Sequence, residues 1–136
     1  MSASILIEGY ASLFGMADDI GDTVRPGAFA RTLRRRSSVP MLLQHRNGAI
    51  AGQWTRMVED GRGLYVRGLV KAPHAQALIH RGLNGLSIGF RARLAKARAA
   101  GGRDLIDLDL VEVSLVANPM QPAARFTNPA TARSAA

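Results

Sequence analysis

The chain has 136 residues and is 47% hydrophobic, which suffices for one compact domain with a core but not for two. It has no cysteine, which excludes a disulfide framework, a thiolate nucleophile and cysteine-ligated metal. The net charge of +8 is the excess of 18 basic residues over 10 acidic residues, and all of the basic residues are arginine except Lys71 and Lys96. A basic surface favours acidic partners, with nucleic acid as a secondary candidate. No apolar run approaches the roughly 18 to 20 residues of a membrane span, and the N-terminus lacks signal-peptide features, so we expect a cytoplasmic protein without a membrane partner.

In chain order, the residue pattern predicts about six strands and two short helices. The strands are expected at 4–11, 39–45, 50–58, 63–71, 86–91 and 105–117, and the helices at 26–36 and 73–82. The three strands between 39 and 71 are predicted to form a meander, because Asn47-Gly48 and Glu59-Asp60-Gly61 mark tight turns between them. Pro40 predicts that the first of them starts there or lies on an edge, where an extended peptide could dock. We expect a single domain over 1–126 and a flexible tail over 127–136, which is small and polar.

Three chemically suggestive residues lie in three separate predicted strands. His45 ends the run Val39–His45, Ser87 lies inside Gly85–Phe90, and Glu112 is the only charge in the apolar run Leu110–Val116. An unpaired buried charge is costly, so either the face that carries Glu112 is half exposed or a histidine or arginine holds the carboxylate. A hydroxyl, an imidazole and a carboxylate together can activate a serine nucleophile. These residues therefore predict a serine endopeptidase.

The segment around Ser87 also spells the G-x-S-x-G pattern of the α/β-hydrolase nucleophile elbow. Those enzymes place the acid and then the histidine after the serine, whereas His45, His74 and His80 all precede Ser87, so the chain order excludes that fold. As a strand, the segment puts Ser87 and Gly89 on one face, so we expect the hydroxyl to point away from the core. Glycine there would leave room for a substrate backbone.

Other residues offer alternatives. Ser114 is a second possible nucleophile, and Asp107 or Asp109 could replace Glu112 as the acid. His74 and His80 are not spaced to share a helix face as a zinc site requires. Asp18, Asp19 and Asp22 lack EF-hand spacing, and loop aspartates usually form turns. We therefore predict neither a metal nor a cofactor.

Six segments taken together resemble one protein family. They are Gly9–Phe14, Pro26–Phe29, Val39–His45, Glu59–Leu64, Gly85–Phe90 and Leu110–Pro119. In order and without a large gap, they resemble the tailed-phage prohead protease family of the Hong Kong type, which is related to the herpesvirus assemblins. The resemblance runs from about Gly9 to Phe126.

The resemblance implies a β-rich α+β fold, a small and mainly antiparallel β-barrel flanked by short helices. It implies that Ser87 is the nucleophile, His45 the general base and Glu112 the third member of the triad. It further implies action inside the assembling prohead on scaffold or on the scaffolding segment of the major capsid protein, self-cleavage, and a homo-oligomer such as a dimer. Gene transfer agents carry similar proteases, so a prophage or such an agent is the expected source.

The residue after His45 departs from the family pattern, and a second function is compatible with the composition. Arg46 stands where such proteins commonly have an acidic or amidic residue, and a cation beside His45 would lower the pKa of the histidine. The rival function is a non-catalytic basic β-barrel, a capsid, connector or nucleic-acid-binding module in which His45 and Ser87 are only structural.

Overall fold

The structure of the protein, a computed structural model, describes residues 3–129. The strands are β1 (Ile5–Leu13), β2 (Thr23–Val24), β3 (Pro40–Leu43), β4 (Ile50–Glu59), β5 (Gly63–Val70), β6 (Gly85–Ala97), β7 (Arg103–Val116) and β8 (Phe126–Thr127), and the helices are α1 (Ala30–Arg35) and α2 (Pro73–His80). Strands and turns dominate, so the β-rich α+β class is confirmed. The predicted meander is also confirmed, because β3, β4 and β5 pair in sequence as antiparallel neighbours.

The strands form one sheet in the order β2-β7-β3-β4-β5-β1-β8, with β6 paired to β7. Pairing is antiparallel except where β2 and β3 run parallel to β7. Among residues 3–129 the continuous ladder does not close, so the expected barrel stays a prediction. At the seam, a single bridge between Gly85 of β6 and Arg125 connects β6 to the segment before β8.

The position of β3 corrects one expectation about substrate docking. The strand begins at Pro40, as proline predicts. It lies between β4 and β7, so both of its edges are paired. An extended peptide cannot add to the sheet along β3.

The core lies on one face of the meander. In β5, Leu64, Val66 and Val70 are buried at alternate positions, which is the period of two expected of a strand with one face inward. Trp54 of β4 is buried, and its indole N–H donates to the carbonyl of Val113 at 3.2 Å. This bond ties the meander to β7, the strand that carries Glu112.

Helix α1 is shorter than the 26–36 predicted from its apolar spacing. Gly27 has φ +92°, a left-handed conformation that ends helical geometry before Ala30. The carboxylate of Glu59 accepts the N–H groups of Gly27 at 2.9 Å and Phe29 at 3.0 Å, so the donors before the helix are satisfied from β4. A residue 30 positions away therefore sets the start of this helix.

The hairpin of β6 and β7 is longer than predicted, because residues 92–97 and 103–104 are also strand and only residues 98–102 form the turn. Its outer part is exposed on β6 and pairs opposite charges across the ribbon, Arg93 with Asp109 at 3.2 Å and Arg98 with Asp104 at 3.5 Å. Cross-strand pairs of opposite charge support the exposed side of the ribbon, whereas Leu105 and Leu108 of β7 are buried in the core.

The loop after β1 forms a turn, and β8 ties the end of the described chain to β1. Asp18 accepts the N–H groups of Ile20 and Asp22, so this aspartate forms a turn. Thr127 pairs with Glu8 of β1, and residues 130–136 of the predicted tail lie outside the described residues. Among residues 3–129, neither helix is long and apolar enough to cross a membrane.

Candidate active site

His45 follows β3 in an unusual backbone conformation. Gln44 and His45 have φ 54° and 60°, the left-handed region that non-glycine residues seldom adopt. The N–H of Gln44 donates to Leu115 O at 2.9 Å, and the N–H of His45 donates to Ser114 Oγ at 3.1 Å. Both partners belong to β7, so contacts with that strand hold the turn. The strand-like alternation expected through His45 therefore stops at Leu43.

Glu112 holds the imidazole. Its Oε1 lies 2.6 Å from Nδ1 of His45, and its Oε2 accepts the hydroxyl of Ser114. The Glu112 side chain is 8% exposed, whereas that of His45 is 42% exposed. Of the two arrangements open for Glu112, a half-exposed face and a partnered carboxylate, the structure has the second. Both carboxylate oxygens have partners, which meets the requirement for burying such a group.

This contact also decides the basicity of the histidine. The hydrogen bond to Glu112 raises the pKa of His45 above its ordinary 6.5, against an opposing effect of partial burial. Arg46, which we expected to lower this pKa, is not among the causes of the shift, and the Glu112 carboxylate sets its direction. Since Nδ1 is engaged by Glu112, Nε2 is the nitrogen left to exchange a proton with a substrate or nucleophile.

Gly89 has a different role from the one predicted. A Cβ added at this position would lie 2.4 Å from Oε1 of Glu112, far inside van der Waals contact. Gly89 pairs directly with Glu112 across β6 and β7. The space beside Ser87 that we assigned to a substrate backbone is therefore filled by the carboxylate.

Ser87 lies on the strand next to this network. It pairs directly with Ser114, and residues directly opposite in an antiparallel pair point to the same face, with Cα atoms about 4.5 to 5.5 Å apart. Glu112 is two residues from Ser114 and shares that face. His45 therefore follows β3, which pairs with one edge of β7, and Ser87 lies on β6, which pairs with the other edge. The structure brings His45 and Glu112 into contact and places Ser87 one strand away.

The Ser87 hydroxyl is less accessible than predicted. The residue is 3% exposed, and its hydroxyl has no hydrogen-bond partner within the described part of the chain. It lines a cavity of about 100 Å³ whose walls also include Ser12, Leu86, Met120 and Gln121. Ser12 likewise has a buried hydroxyl without a partner in residues 3–129. Buried unsatisfied hydroxyls are uncommon and mark places where a ligand or water completes the site.

The residues considered as alternative nucleophile or acid have other partners. Asp107 pairs with Arg31 at 3.1 Å and Asp109 with Arg93 at 3.2 Å, so neither has His45 as its partner. Ser114 is fully buried and hydrogen-bonded to Glu112 and His45, an arrangement that suits positioning better than attack. Within residues 3–129, no group of three or more His, Cys, Asp or Glu could hold a metal ion.

Sequence reasoning missed two features of the site. It considered Ser114 only as a nucleophile, although a hydroxyl two residues from a buried carboxylate on one strand face can donate to it. It missed Gln121, whose side-chain amide joins the backbone of Leu13 and Met16 beside the cavity. No local pattern indicates a contact of that kind.

The fold is that of the herpesvirus proteases. The protease of varicella-zoster virus superposes with a TM-score of 0.65 at 16% identity, over 92% of this chain and 64% of that one. The KSHV protease, solved in complex with a hexapeptide phosphonate inhibitor, superposes with a TM-score of 0.63 at 12% identity, over 91% and 64%. At these identities the likeness is one of fold.

Sequence comparison assigns the family. The model of the caudovirus prohead serine proteases matches residues 1–135, and the chain belongs to that family. It is 37% identical to the prohead protease of Enterobacteria phage HK97 over 62% of this chain and 41% of the phage protein. It is 30% identical to the capsid scaffolding protein of equine herpesvirus 1 (strain Ab4p) over 58% of this chain and 12% of that protein. The chain thus spans less than half the length of these relatives.

Proposed function

We propose that the protein is a serine endopeptidase of capsid maturation, with Ser87 as nucleophile, His45 as general base and Glu112 as the acid that orients the base. The observation that carries this proposal is the 2.6 Å contact between His45 Nδ1 and Glu112 Oε1 beside a buried, unpartnered Ser87 hydroxyl. Family membership supports the same assignment.

The reaction follows from these positions. Ser87 Oγ attacks the scissile carbonyl carbon while Nε2 of His45 takes the hydroxyl proton, and the proton then passes to the leaving amine as the peptide C–N bond breaks. Water then attacks the resulting acyl-enzyme. Nε2 of His45 takes a proton from this water and returns it to Ser87 Oγ as the acyl group leaves. Glu112 holds the tautomer with the proton on Nδ1 and stabilises the imidazolium. Backbone amides near Gly89 or in the loop around Asn118 are the proposed oxyanion donors.

The proposed substrate is an extended segment of a capsid or scaffold protein, as the names of the phage and herpesvirus relatives suggest, and the protease also cleaves itself. Strand β6 supports this mode of binding. It has a ladder with β7 on one side, and in residues 3–129 only its first residues are bridged on the other. A peptide backbone can add beside such a strand, and it would then lie next to Ser87.

Co-expression with the major capsid protein of the same particle tests the proposal. We expect the wild-type protein to shorten the capsid protein's scaffolding segment, and Ser87→Ala to abolish the cleavage while the circular dichroism spectrum stays near that of wild type and the melting temperature does not fall. Ser12→Ala is the matched control, since it removes the other buried hydroxyl of the cavity and should still cleave. A serine-directed fluorophosphonate should label Ser87 and no other serine.

Two results would reject this assignment. Processing by the Ser87→Ala protein would show that another residue is the nucleophile. Salt-dependent DNA binding, with no cleavage by any form of the protein, would favour the non-catalytic basic module.

A further inference from the structure

A groove with an unusual charge lies between helix α1 and the β6–β7 hairpin. Its volume is about 380 Å³, and it is lined by Arg31, Thr32, Arg35, Arg36, Arg91, Asp109, Leu110 and Val111. Four of these eight residues are arginines, contributed by α1 with the residue directly after it and by β6, which is far away in sequence. The fold therefore concentrates in one concave surface the positive charge that looks scattered in the sequence.

The groove has more positive charge than its own acidic residues neutralise. Arg31 is paired with Asp107 at 3.1 Å, and Asp109 is paired with Arg93 at 3.2 Å. The guanidinium groups of Arg35, Arg36 and Arg91 are exposed, and among residues 3–129 they have no hydrogen bond or ion pair. Charges of one sign that line a concave surface reinforce one another and attract an oppositely charged ligand.

The groove adjoins the candidate active site. Arg91 follows Gly89 on β6, the strand of Ser87, and Val111 precedes Glu112 on β7. Because Gly89 pairs with Glu112 and Phe90 with Leu110, Val111 is the extra residue of a bulge between the groove and the carboxylate. A chain extended along this hairpin from Ser87 would reach the arginines within a few residues.

The walls favour a polypeptide over nucleic acid. No aromatic ring lines the groove to stack a base. Its base includes the aliphatic side chains of Leu110 and Val111, the latter 41% exposed, which suit aliphatic side chains. Arginine forks bind carboxylates in a bidentate manner. We propose that this arginine groove, lined by Arg35, Arg36 and Arg91, binds an acidic stretch of the substrate that flanks the cleaved bond. This inference rests on the proposed function and adds the charge of the substrate to it.

Binding can be measured without cleavage in the Ser87→Ala protein. The probes are two labelled peptides of equal length, one rich in Asp and Glu and one with Asn and Gln at the same positions, followed by fluorescence anisotropy. We expect the acidic peptide to bind roughly tenfold more tightly at low salt, since three exposed pairs each contribute modestly, and this preference to fade as salt rises. The triple variant Arg35→Gln, Arg36→Gln, Arg91→Gln should lose the preference.

A charge-matched control separates the groove from the net charge of the protein. The triple variant Arg25→Gln, Arg56→Gln, Arg81→Gln removes the same charge from exposed positions elsewhere and should keep the preference for the acidic peptide. Equal losses in both triple variants would overturn the proposal, because net charge would then explain the binding. A short DNA duplex that displaces the acidic peptide at lower concentration than an unlabelled acidic peptide would overturn it in favour of nucleic acid.

Cleavage assays distinguish failure of this inference from failure of the proposed function. With wild-type Ser87, the groove variant should cleave a substrate with a neutral flank normally and one with an acidic flank roughly tenfold less efficiently. Ser87→Ala should cleave neither. If the groove variant loses the preference for the acidic flank but still cleaves the substrate with the neutral flank, the groove binds the acidic flank. If the wild-type protein cleaves neither substrate, the proposed peptidase function is rejected.

Discussion

The two halves of the candidate site differ in how completely their polar groups are satisfied. On the side of the base, His45, Glu112 and Ser114 form a connected network in which both carboxylate oxygens have partners. On the side of the nucleophile, Ser87 and Ser12 line one cavity with buried hydroxyls that have no partner within residues 3–129. The base is already oriented before substrate arrives, whereas the nucleophile is not.

This difference separates two physical demands on the site. A base must be held in one tautomer and orientation, which needs a fixed network. A nucleophile must exchange partners during the reaction, so a permanent strong bond would compete with attack. Leaving a hydroxyl buried and unpaired costs about 1–3 kcal/mol, and such costs are common where stability is exchanged for activity.

Removal of the Glu112 carboxylate has the largest expected effect on the oriented base. We expect Glu112→Gln to keep the fold and to lower kcat by about 10²- to 10⁴-fold, because the variant amide no longer sets the His45 tautomer or stabilises the imidazolium. Steady-state kinetics on a peptide substrate measure the effect. A loss of less than threefold would show that Glu112 does not belong to the catalytic network.

The same variant has a signed pH dependence. The general base must be neutral, so kcat/KM falls as pH drops through the pKa of His45, which Glu112 raises above 6.5. Glu112→Gln removes that influence, so the acidic limb should move to lower pH. The stability that the pair contributes is present below pH 6.5 and is lost as pH rises through the raised pKa. An acidic limb that stays in place would contradict the assigned partnership.

Gly89→Ala tests whether the carboxylate needs the space beside β6. The new methyl group would lie 2.4 Å from Oε1 of Glu112, so the side chain must move away from His45. We expect kcat to fall by about 10²-fold, the cost of a misplacement near 1 Å, and the melting temperature to fall as well, because a buried carboxylate that leaves its partner is destabilising. Gly61→Ala is the matched control, because its added methyl meets nothing within 4 Å. Equal activity in the two variants would show that the contact is dispensable.

Ser12→Ala has the smallest expected effect and tests whether the second buried hydroxyl of the Ser87 cavity is needed for activity. Removing an unpaired buried hydroxyl should stabilise the fold by about 1 kcal/mol, which raises Tm by about 3 °C in a domain of this size. Cleavage should stay within twofold of wild type, because within residues 3–129 the Ser12 hydroxyl has no hydrogen bond to His45 or Glu112. Calorimetry and the cleavage assay measure the two outcomes. A lower Tm would mean that Ser12 has a partner when the cavity is filled.

Much of the fold follows from local pattern. The meander was predictable because alternating apolar residues and glycine turns each carry their own signal. The exposed end of the β6–β7 ribbon was not, since it is stabilised by charge pairs across strands such as Arg98 with Asp104. The start of α1 was missed for a similar reason, because Glu59 caps it from another element.

The candidate groups, a hydroxyl, an imidazole and a carboxylate in three separate predicted strands, could be found from the sequence alone. A single carboxylate in an apolar strand required either a half-exposed face or a partner, and the order of Ser87 after every histidine excluded the α/β-hydrolase arrangement. How those groups meet could not be found in that way. The left-handed turn at Gln44 and His45, the place of Glu112 over Gly89 and the convergence of Arg35, Arg36 and Arg91 all depend on contacts between elements far apart in sequence, and local propensity does not encode such contacts.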